Sequence, residues 1–393
     1  MEQKLDKPDI EIKELKEVED IAPKSLKSIK DLSSSEIELV LIRLVENLKS
    51  QKSQIKIGEG KDGIDNLQED QHNALTDSIK ELINLPDPIN KIIHQRTTKN
   101  GMIARKIRTP IGTVLLKIES APQLVASAAA MCIKTGNSLH IMPEKSILNT
   151  AEAFYTCVTE ALAHENVALD IQLVEEETDA DIVIPQGSIT FVEKVKDEFS
   201  NVLAGHAGNN SIYVDSEADP YVAVETIADA KKENDDSSME NLLVHKDMAE
   251  SFLPIVQNKL KDMEITLKGC PETKKWLEID EATEADYKKA AKNNTVCVKQ
   301  VADVQEAIAF INEYGNQHTE SILSEDDENI KAFFHNIESS CIFKNASTRC
   351  NSAKGFGLGP SLGVSTQNNK GPIDMKALTS YKWIVDGNGQ VID

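Results

Sequence analysis

The residues best suited to chemistry lie in two stretches of this 393-residue chain. Late in the sequence, Asn345-Ala-Ser-Thr-Arg349 is followed by Gly355-Phe-Gly-Leu-Gly359, Val364-Ser-Thr-Gln367 and Gly371-Pro372. Short polar and glycine-rich words in this order do not arise from generic core packing. Asn345, Ser347 and Arg349 follow a predicted strand, where a guanidinium suits either a small anion or the packing of two domains. Earlier, Lys231-Lys-Glu-Asn-Asp-Asp-Ser237 sets Glu233, Asp235 and Asp236 on one short segment before the apolar Leu242-Leu-Val244. Taken alone, that run reads as a solvated acidic loop. Ser237 and Ser238 end it, but a nucleophilic serine needs a base and oxyanion donors, and no Gly-x-Ser-x-Gly turn surrounds them.

Other chemistries are poorly provided for. Cys132, Cys157, Cys270, Cys297, Cys341 and Cys350 are spread singly without a Cys-x-x-Cys pair, which predicts reduced, mostly buried thiols and no zinc site. The eight histidines show no His-x-x-x-His spacing, and His318 reads as a hydrogen-bonded structural residue. A formal charge of −22 repels a phosphate backbone and argues against nucleic acid. No apolar run approaches the ~20 residues that span a bilayer, so no membrane partner is expected. Met1-Glu-Gln-Lys-Leu lacks an apolar signal core, and a cytoplasmic protein is the expectation.

The elements that must position these residues alternate between strand and helix. Residues 1–30 are rich in Lys, Asp and Glu and predict a disordered arm. Asp31-Leu-Ser-Ser-Ser-Glu36 offers N-cap side chains before the broad apolar face Ile37, Leu39, Leu41, Ile42, Leu44, Val45 and Leu48, and a second helix is expected from Asn73 to Leu85. Asn100-Gly101 marks a hairpin turn. Thr113–Ile118, Ser138–Met142, Leu169–Val174 and Asp181–Ile184 read as strands, with an Ala-rich helix from Ala121 and Gly136 at its C-terminal turn. Asn241–Val244, Glu250–Asp262, Thr295–Val298 and Val304–Tyr314 repeat the alternation, which predicts parallel α/β architecture.

The ordered words, together with Pro110-Ile-Gly112, Cys132-Ile-Lys-Thr-Gly-Asn137, Ile212-Tyr-Val-Asp215, Gly315-Asn-Gln-His-Thr-Glu320 and Ala377-Leu-Thr-Ser-Tyr-Lys-Trp383, resemble the γ-glutamyl phosphate reductases of proline biosynthesis. These are glutamate-5-semialdehyde dehydrogenases within the aldehyde dehydrogenase superfamily, and the resemblance covers about residues 32–385. It implies an aldehyde dehydrogenase-like α/β fold: two α/β domains around a cleft plus a β-hairpin oligomerisation element. The expected division is 31–96 with 112–222 as a dinucleotide-binding-type domain, 223–370 as a catalytic-type domain, and 97–111 with 371–393 as an oligomerisation hairpin and tail. Thr379–Val385 is expected to extend a sheet across a dimer.

The resemblance also implies a chemistry and locates its parts. In the family a thiolate attacks the acyl phosphate, oxyanion donors hold the tetrahedral oxygen, and NADPH supplies hydride to the thioester. Counted back from Leu242-Leu-Val244, the nucleophile position falls on Asp236, and no cysteine occurs between Cys157 and Cys270. The oxyanion asparagine position holds Gln123, and an arginine position beside it holds Ala121. Glu119, Asn345, Ser347 and Arg349 correspond to residues of the substrate cleft. Lys145, Gly187, Gly205 and Gly208 correspond to a degenerate cofactor path, in which Met142, Gln186 and Ser361 replace family residues. The pattern predicts a pseudoenzyme with weak or lost NADPH binding, no metal, and a homodimer or a heterodimer with a paralogue as its assembly. The alternative is a working NADPH-dependent reductase that makes glutamate-5-semialdehyde.

Overall fold

The computed structural model describes residues 26–63, 69–205, 207–290, 293–351, 353–366 and 369–391. Most of the arm expected over 1–30 lies outside the described residues, but its last part belongs to the fold. Lys27–Ser28 pairs in parallel with Val167–Ala168, and Ile29 is buried in the first core. One apolar side chain and a two-residue ladder are enough to hold this end of a polar segment.

Ser33 starts the first helix, Ser34–Ser50, with a reciprocal capping box: its side chain receives the Glu36 amide while Glu36 receives the Ser33 amide. Val40, Leu41, Leu44, Val45 and Leu48 form its buried face. The second predicted helix occupies Glu69–Asn84. Between them stands Lys52–Asp62, whose polar sequence and two glycines hide a helix from periodicity. It forms because it packs on Leu148–His164. A Cβ on Gly58 would lie 2.8 Å from the Asn149 carbonyl oxygen. Asp62 accepts the amides of Asn149 and Thr150, at 3.2 and 2.7 Å, in the first turn of that helix.

Two parallel sheets carry the architecture. The smaller contains Ile171–Leu173, Ser138–Pro143, Thr113–Ile118 and Ile182–Gln186 in that spatial order. The larger has seven strands in the order Asp280–Glu281, Thr266–Gly269, Thr295–Val301, Met239–His245, Asn210–Val214, Thr319–Leu323 and Cys341–Lys344. Its central strands are buried along their whole length, as both-face coverage by helices requires. The range 112–222 expected for the first domain therefore takes in Asn210–Val214, a strand of the other sheet. The helix Leu124–Thr135 ends at Gly136 in the left-handed region, φ 71°, with its amide bonded to the Cys132 carbonyl. Val304–Tyr314 also ends at a glycine, but Gly315 has φ −70°. There glycine is needed for space, because a Cβ would lie 2.6 Å from the Ile311 oxygen.

A three-stranded antiparallel sheet projects from this body: Thr379–Asp386, Ile103–Pro110 and Ile92–Thr97 in that order. The hairpin thus begins before the predicted 97–111 range. Thr379–Asp386 pairs over eight residues with Ile103–Pro110 of the same chain. Within the chain the tail strand thus extends the hairpin's sheet, favoured because the tail leaves Leu378 anchored in the core beside the hairpin's base. There Asn137 Nδ2 donates to the Leu378 oxygen at 2.8 Å, and the Ile111 amide donates to the same oxygen.

Candidate functional site

The segment 362–366 ties the two parallel sheets together. Gln186, the last residue of its strand, donates through Nε2 to the Leu362 carbonyl. Three residues on, Ser340, just before Cys341–Lys344, donates to the Ser365 carbonyl at 2.7 Å. The C-terminal ends of the small sheet therefore face the N-terminal ends of the large one, and the residues singled out above distribute on the two sides.

On the large-sheet side, the acidic loop precedes Met239–His245. The backbone oxygen of Asp236 accepts the Gly208 amide at 2.9 Å and Asn210 Nδ2 at 3.1 Å, while the side chain is exposed. Asn210 Nδ2 also reaches the Ser238 oxygen, and its Oδ1 meets His318 Nδ1 at 3.1 Å and accepts the Thr319 amide. Ser237 Oγ donates to Asn351 Oδ1 at 2.5 Å, and Asn351 Nδ2 donates to Thr319 Oγ1 at 2.6 Å. Gly208 is explained by this network, since a Cβ there would enter the Asn210 side chain. His318, fully buried, is the hydrogen-bonded residue its sequence context suggested.

Arg349 lies on the Thr348–Asn351 turn and faces the same loop. Its Nη2 is 2.8 Å from Glu233 Oε1, its Nη1 3.4 Å from Asp229 Oδ1, and its Nε 3.8 Å from Asp235 Oδ2. Desolvation raises the Asp235 carboxyl above its ordinary range, aided by the neighbouring Glu233 and Asp236 charges and opposed by the Ser237 amide and Arg349. Ser347 Oγ accepts the Arg349 amide at 3.3 Å. Asn345 turns away from this group. In the left-handed region at φ 49°, it accepts the Ser324 amide and donates to the Ser324 oxygen and to Glu325, closing its own turn.

On the small-sheet side, Glu119 and Gly187 touch. Glu119 follows Thr113–Ile118 and Gly187 follows Ile182–Gln186. A Cβ on Gly187 would lie 2.6 Å from Glu119 Oε2. That same oxygen accepts the Ser188 amide at 2.5 Å, at the start of the helix Ile189–Glu198. Ala121 is held at φ 61°, a region costly for a residue with a Cβ, directly ahead of Gln123 and the helix Leu124–Thr135. Lys145 stands exposed after Ser138–Pro143. Gly205 packs against the Val364 carbonyl, leaving no room for a side chain.

Three features lie beneath the site, and of these the buried thiols were expected from the sequence. Glu320, fully buried on Thr319–Leu323, accepts the Ser211 amide at 2.7 Å and Ser339 Oγ at 3.2 Å. Burial pushes its carboxyl up to about 8 against those two hydrogen bonds. Lys231 and Glu240 form a buried ion pair at 3.1 Å under the acidic loop; a Lys and a Glu nine residues apart carry no local signal of pairing. The thiols are the third. Five of the six cysteines are buried and Cys350 is half-buried. Burial pushes Cys157 and Cys297 up to about 12, Cys341 to about 11, and raises Cys132 as well. Among the described residues no group of three or more His, Cys, Asp and Glu could hold a metal ion, and no helix is long and apolar enough to cross a membrane.

A scan against protein-family models finds no match. A γ-glutamyl phosphate reductase from Dictyoglomus thermophilum is 31% identical over 370 residues, covering 88% of this chain and 89% of that protein. The crystal structure of a γ-glutamyl phosphate reductase from Thermotoga maritima superposes with a TM-score of 0.85 at 27% identity, over 93% of this chain and 96% of that one. An acetylating aldehyde dehydrogenase from Geobacillus thermoglucosidasius, 15% identical, shares the fold with a TM-score of 0.70 over 93% and 94% of the two chains. The chain belongs to the γ-glutamyl phosphate reductase family and has its aldehyde dehydrogenase-like α/β fold.

Proposed function

We propose that this chain has kept the family's fold without its thiolate chemistry, and acts in the cytoplasm as a non-catalytic, dimeric member of the family with a structural or regulatory role. The observation that carries this reading is the acidic loop: Asp236 is where the resemblance puts the nucleophile, and Glu233 and Asp235 stand beside it. Acyl transfer to cysteine needs a thiolate close to the acyl carbon, and five of the six thiols are buried. An aspartate is a far weaker acyl acceptor, and losing the nucleophile of a catalytic unit costs roughly 10⁴–10⁶ in rate. Ala121 and Gln123 weaken the other side of the cleft in the same sense.

A specific observation favours the second reading, a working reductase. Cys350 is half-buried on the turn whose Asn351 bonds Ser237, next to Asp236 on the loop. A displaced thiol there would have to attack the acyl carbon, expel phosphate and present a thioester to hydride. The test is direct: NADPH oxidation with γ-glutamyl phosphate, and the reverse oxidation of glutamate semialdehyde with NADP⁺. The expected result is no turnover in either direction. Turnover within about tenfold of an ordinary family member, abolished by C350S, would overturn the first reading.

NADPH, when bound, supplies hydride. The residues that would receive its phosphates fit it poorly. The amide that opens the helix Ile189–Glu198 is already taken by the Glu119 carboxylate, and Lys145 has Glu144 as its chain neighbour. Each lost charge-assisted hydrogen bond removes roughly 1.5–3 kcal/mol, so a dissociation constant above the micromolar range is expected by calorimetry.

The dimer reading rests on the projecting sheet. Ile92, Tyr381, Trp383 and Val385 are exposed there, and both edge strands lack a further neighbour among the described strands. Residues 91–110 and 379–386 carry seven Lys and Arg against one Asp in a chain of net charge −22. A second copy therefore offers complementary acidic surface. Sedimentation of the full chain as a monomer at micromolar concentration would overturn it.

A further inference from the structure

Arg349 is the one cation among the residues that the sequence placed in the substrate cleft, and three carboxylates of the chain stand around it. The loop before Met239–His245 supplies Glu233 and Asp235, and the end of the helix Pro220–Ala230 supplies Asp229 through both its carboxylate and its carbonyl oxygen, the latter 3.3 Å from Nη1. Three carboxylates around one guanidinium exceed what its charge balances, which is the arrangement of a site filled by anions.

We propose that this acidic loop is a built-in anion. Glu233 and Asp235, with Asp229, occupy Arg349 in place of an external phosphate or carboxylate, and so hold the Asp236 loop down on the Thr348–Asn351 turn. The proposal concerns binding alone and stands whether or not the chain reduces a substrate.

Geometry supports the holding role. Apart from the arginine pairs, the loop meets the turn through the Ser237–Asn351 hydrogen bond. Each segment also keeps a buried hydroxyl, Ser238 Oγ and Thr348 Oγ1, with no hydrogen-bond partner, so complementary polar packing does not seal the contact. The acidic side chains are about half exposed or more, at 51% for Asp229, 62% for Glu233 and 48% for Asp235. Solvent screens such pairs, and each changes an equilibrium by about fivefold at most. The occupation is therefore reversible, and removing the carboxylates leaves the guanidinium, only 20% exposed, ready for another anion.

The experiment uses the full chain at low ionic strength, with inorganic phosphate as the probe followed by ³¹P line broadening. Wild type is expected to show no saturable binding at millimolar phosphate. E233Q/D235N should bind at least about tenfold more tightly, and E233Q/D235N/R349Q should lose that gain. A second readout follows the loop: R349Q should raise hydrogen exchange of residues 231–238 while leaving the central strands of the large sheet protected. Phosphate binding equal in wild type and E233Q/D235N, a gain that survives R349Q, or unchanged loop exchange in R349Q would each overturn the proposal.

Discussion

Replacing Glu320 with glutamine should remove the fall in stability that a buried carboxyl here is expected to cause as pH rises from 5 to 8. Glu320 sits at no exposure on a strand flanked by Asn210–Val214 and Cys341–Lys344. Its carboxylate would need solvation that the sheet interior does not supply, and hydrogen bonds from the Ser211 amide and the Ser339 hydroxyl compensate in part. Burial thus moves the carboxyl from 4.5 up to about 8. The folded pKa lies above the unfolded one, so between these values the folded state keeps a proton that the unfolded chain releases. Stability from this group is full below about 4.5, declines as pH rises, and levels off above 8. At ~1.36 kcal/mol per unit, the loss by pH 8 is on the order of 4 kcal/mol. Carboxylates held low by hydrogen bonds, such as Asp62 and Asp215, act in the opposite sense and at more acidic pH. Urea unfolding at pH 5.5 and pH 8 separates the two classes. Wild type and E320Q should differ little at pH 5.5, with E320Q the more stable at pH 8. A wild-type-minus-variant difference that stays constant between the two pH values would refute the reasoning.

Lys231→Met should cost about 3–5 kcal/mol by breaking the buried Lys231–Glu240 ion pair, while K231M/E240L should recover much of the loss in the same urea assay. Gly205→Ala should destabilise by about 1–3 kcal/mol or more, because its methyl enters the Val364 carbonyl; the melting temperature of the variant checks this without any cofactor present. Asp62→Ala removes the acceptor of four hydrogen bonds from Asn149 and Thr150, and should cost about 1–2 kcal/mol at neutral pH, with the difference from wild type shrinking in acid as Asp62 is protonated.

The elements legible in the sequence are those whose apolar period matches their burial. Thr113–Ile118, Met239–His245 and Val304–Tyr314 expose their pattern because each buries a continuous run or a single face. Lys52–Asp62 escaped because its stability comes from Gly58 lying against Leu148–His164 and from Asp62 on that helix's first turn, contacts about ninety residues away in sequence. The tail's pairing with Ile103–Pro110 escaped for a related reason. Alternation shows that a strand forms, while its partner depends on where Leu378 anchors the chain.

At the site, residue types were legible and their partners were not. Of the glycines that the resemblance places on a cofactor path, Gly205 lies against the Val364 carbonyl and Gly208 against the Asn210 side chain, contacts that no local pattern announces. Arg349 and the acidic run were each visible as charges, one read as suited to a small anion or to the packing of two domains and the other as a solvated loop. More than one hundred residues separate them, and nothing local indicates that Glu233 lies 2.8 Å from the guanidinium. Charge in a sequence states what a residue can bind, and only the fold decides whether that ligand comes from solution or from the chain. Here the carboxylates beside Asp236 meet their cation inside the protein. On the proposed reading, Asp236 stands at the nucleophile position while its neighbours Glu233 and Asp235 take the place of an external anion at Arg349.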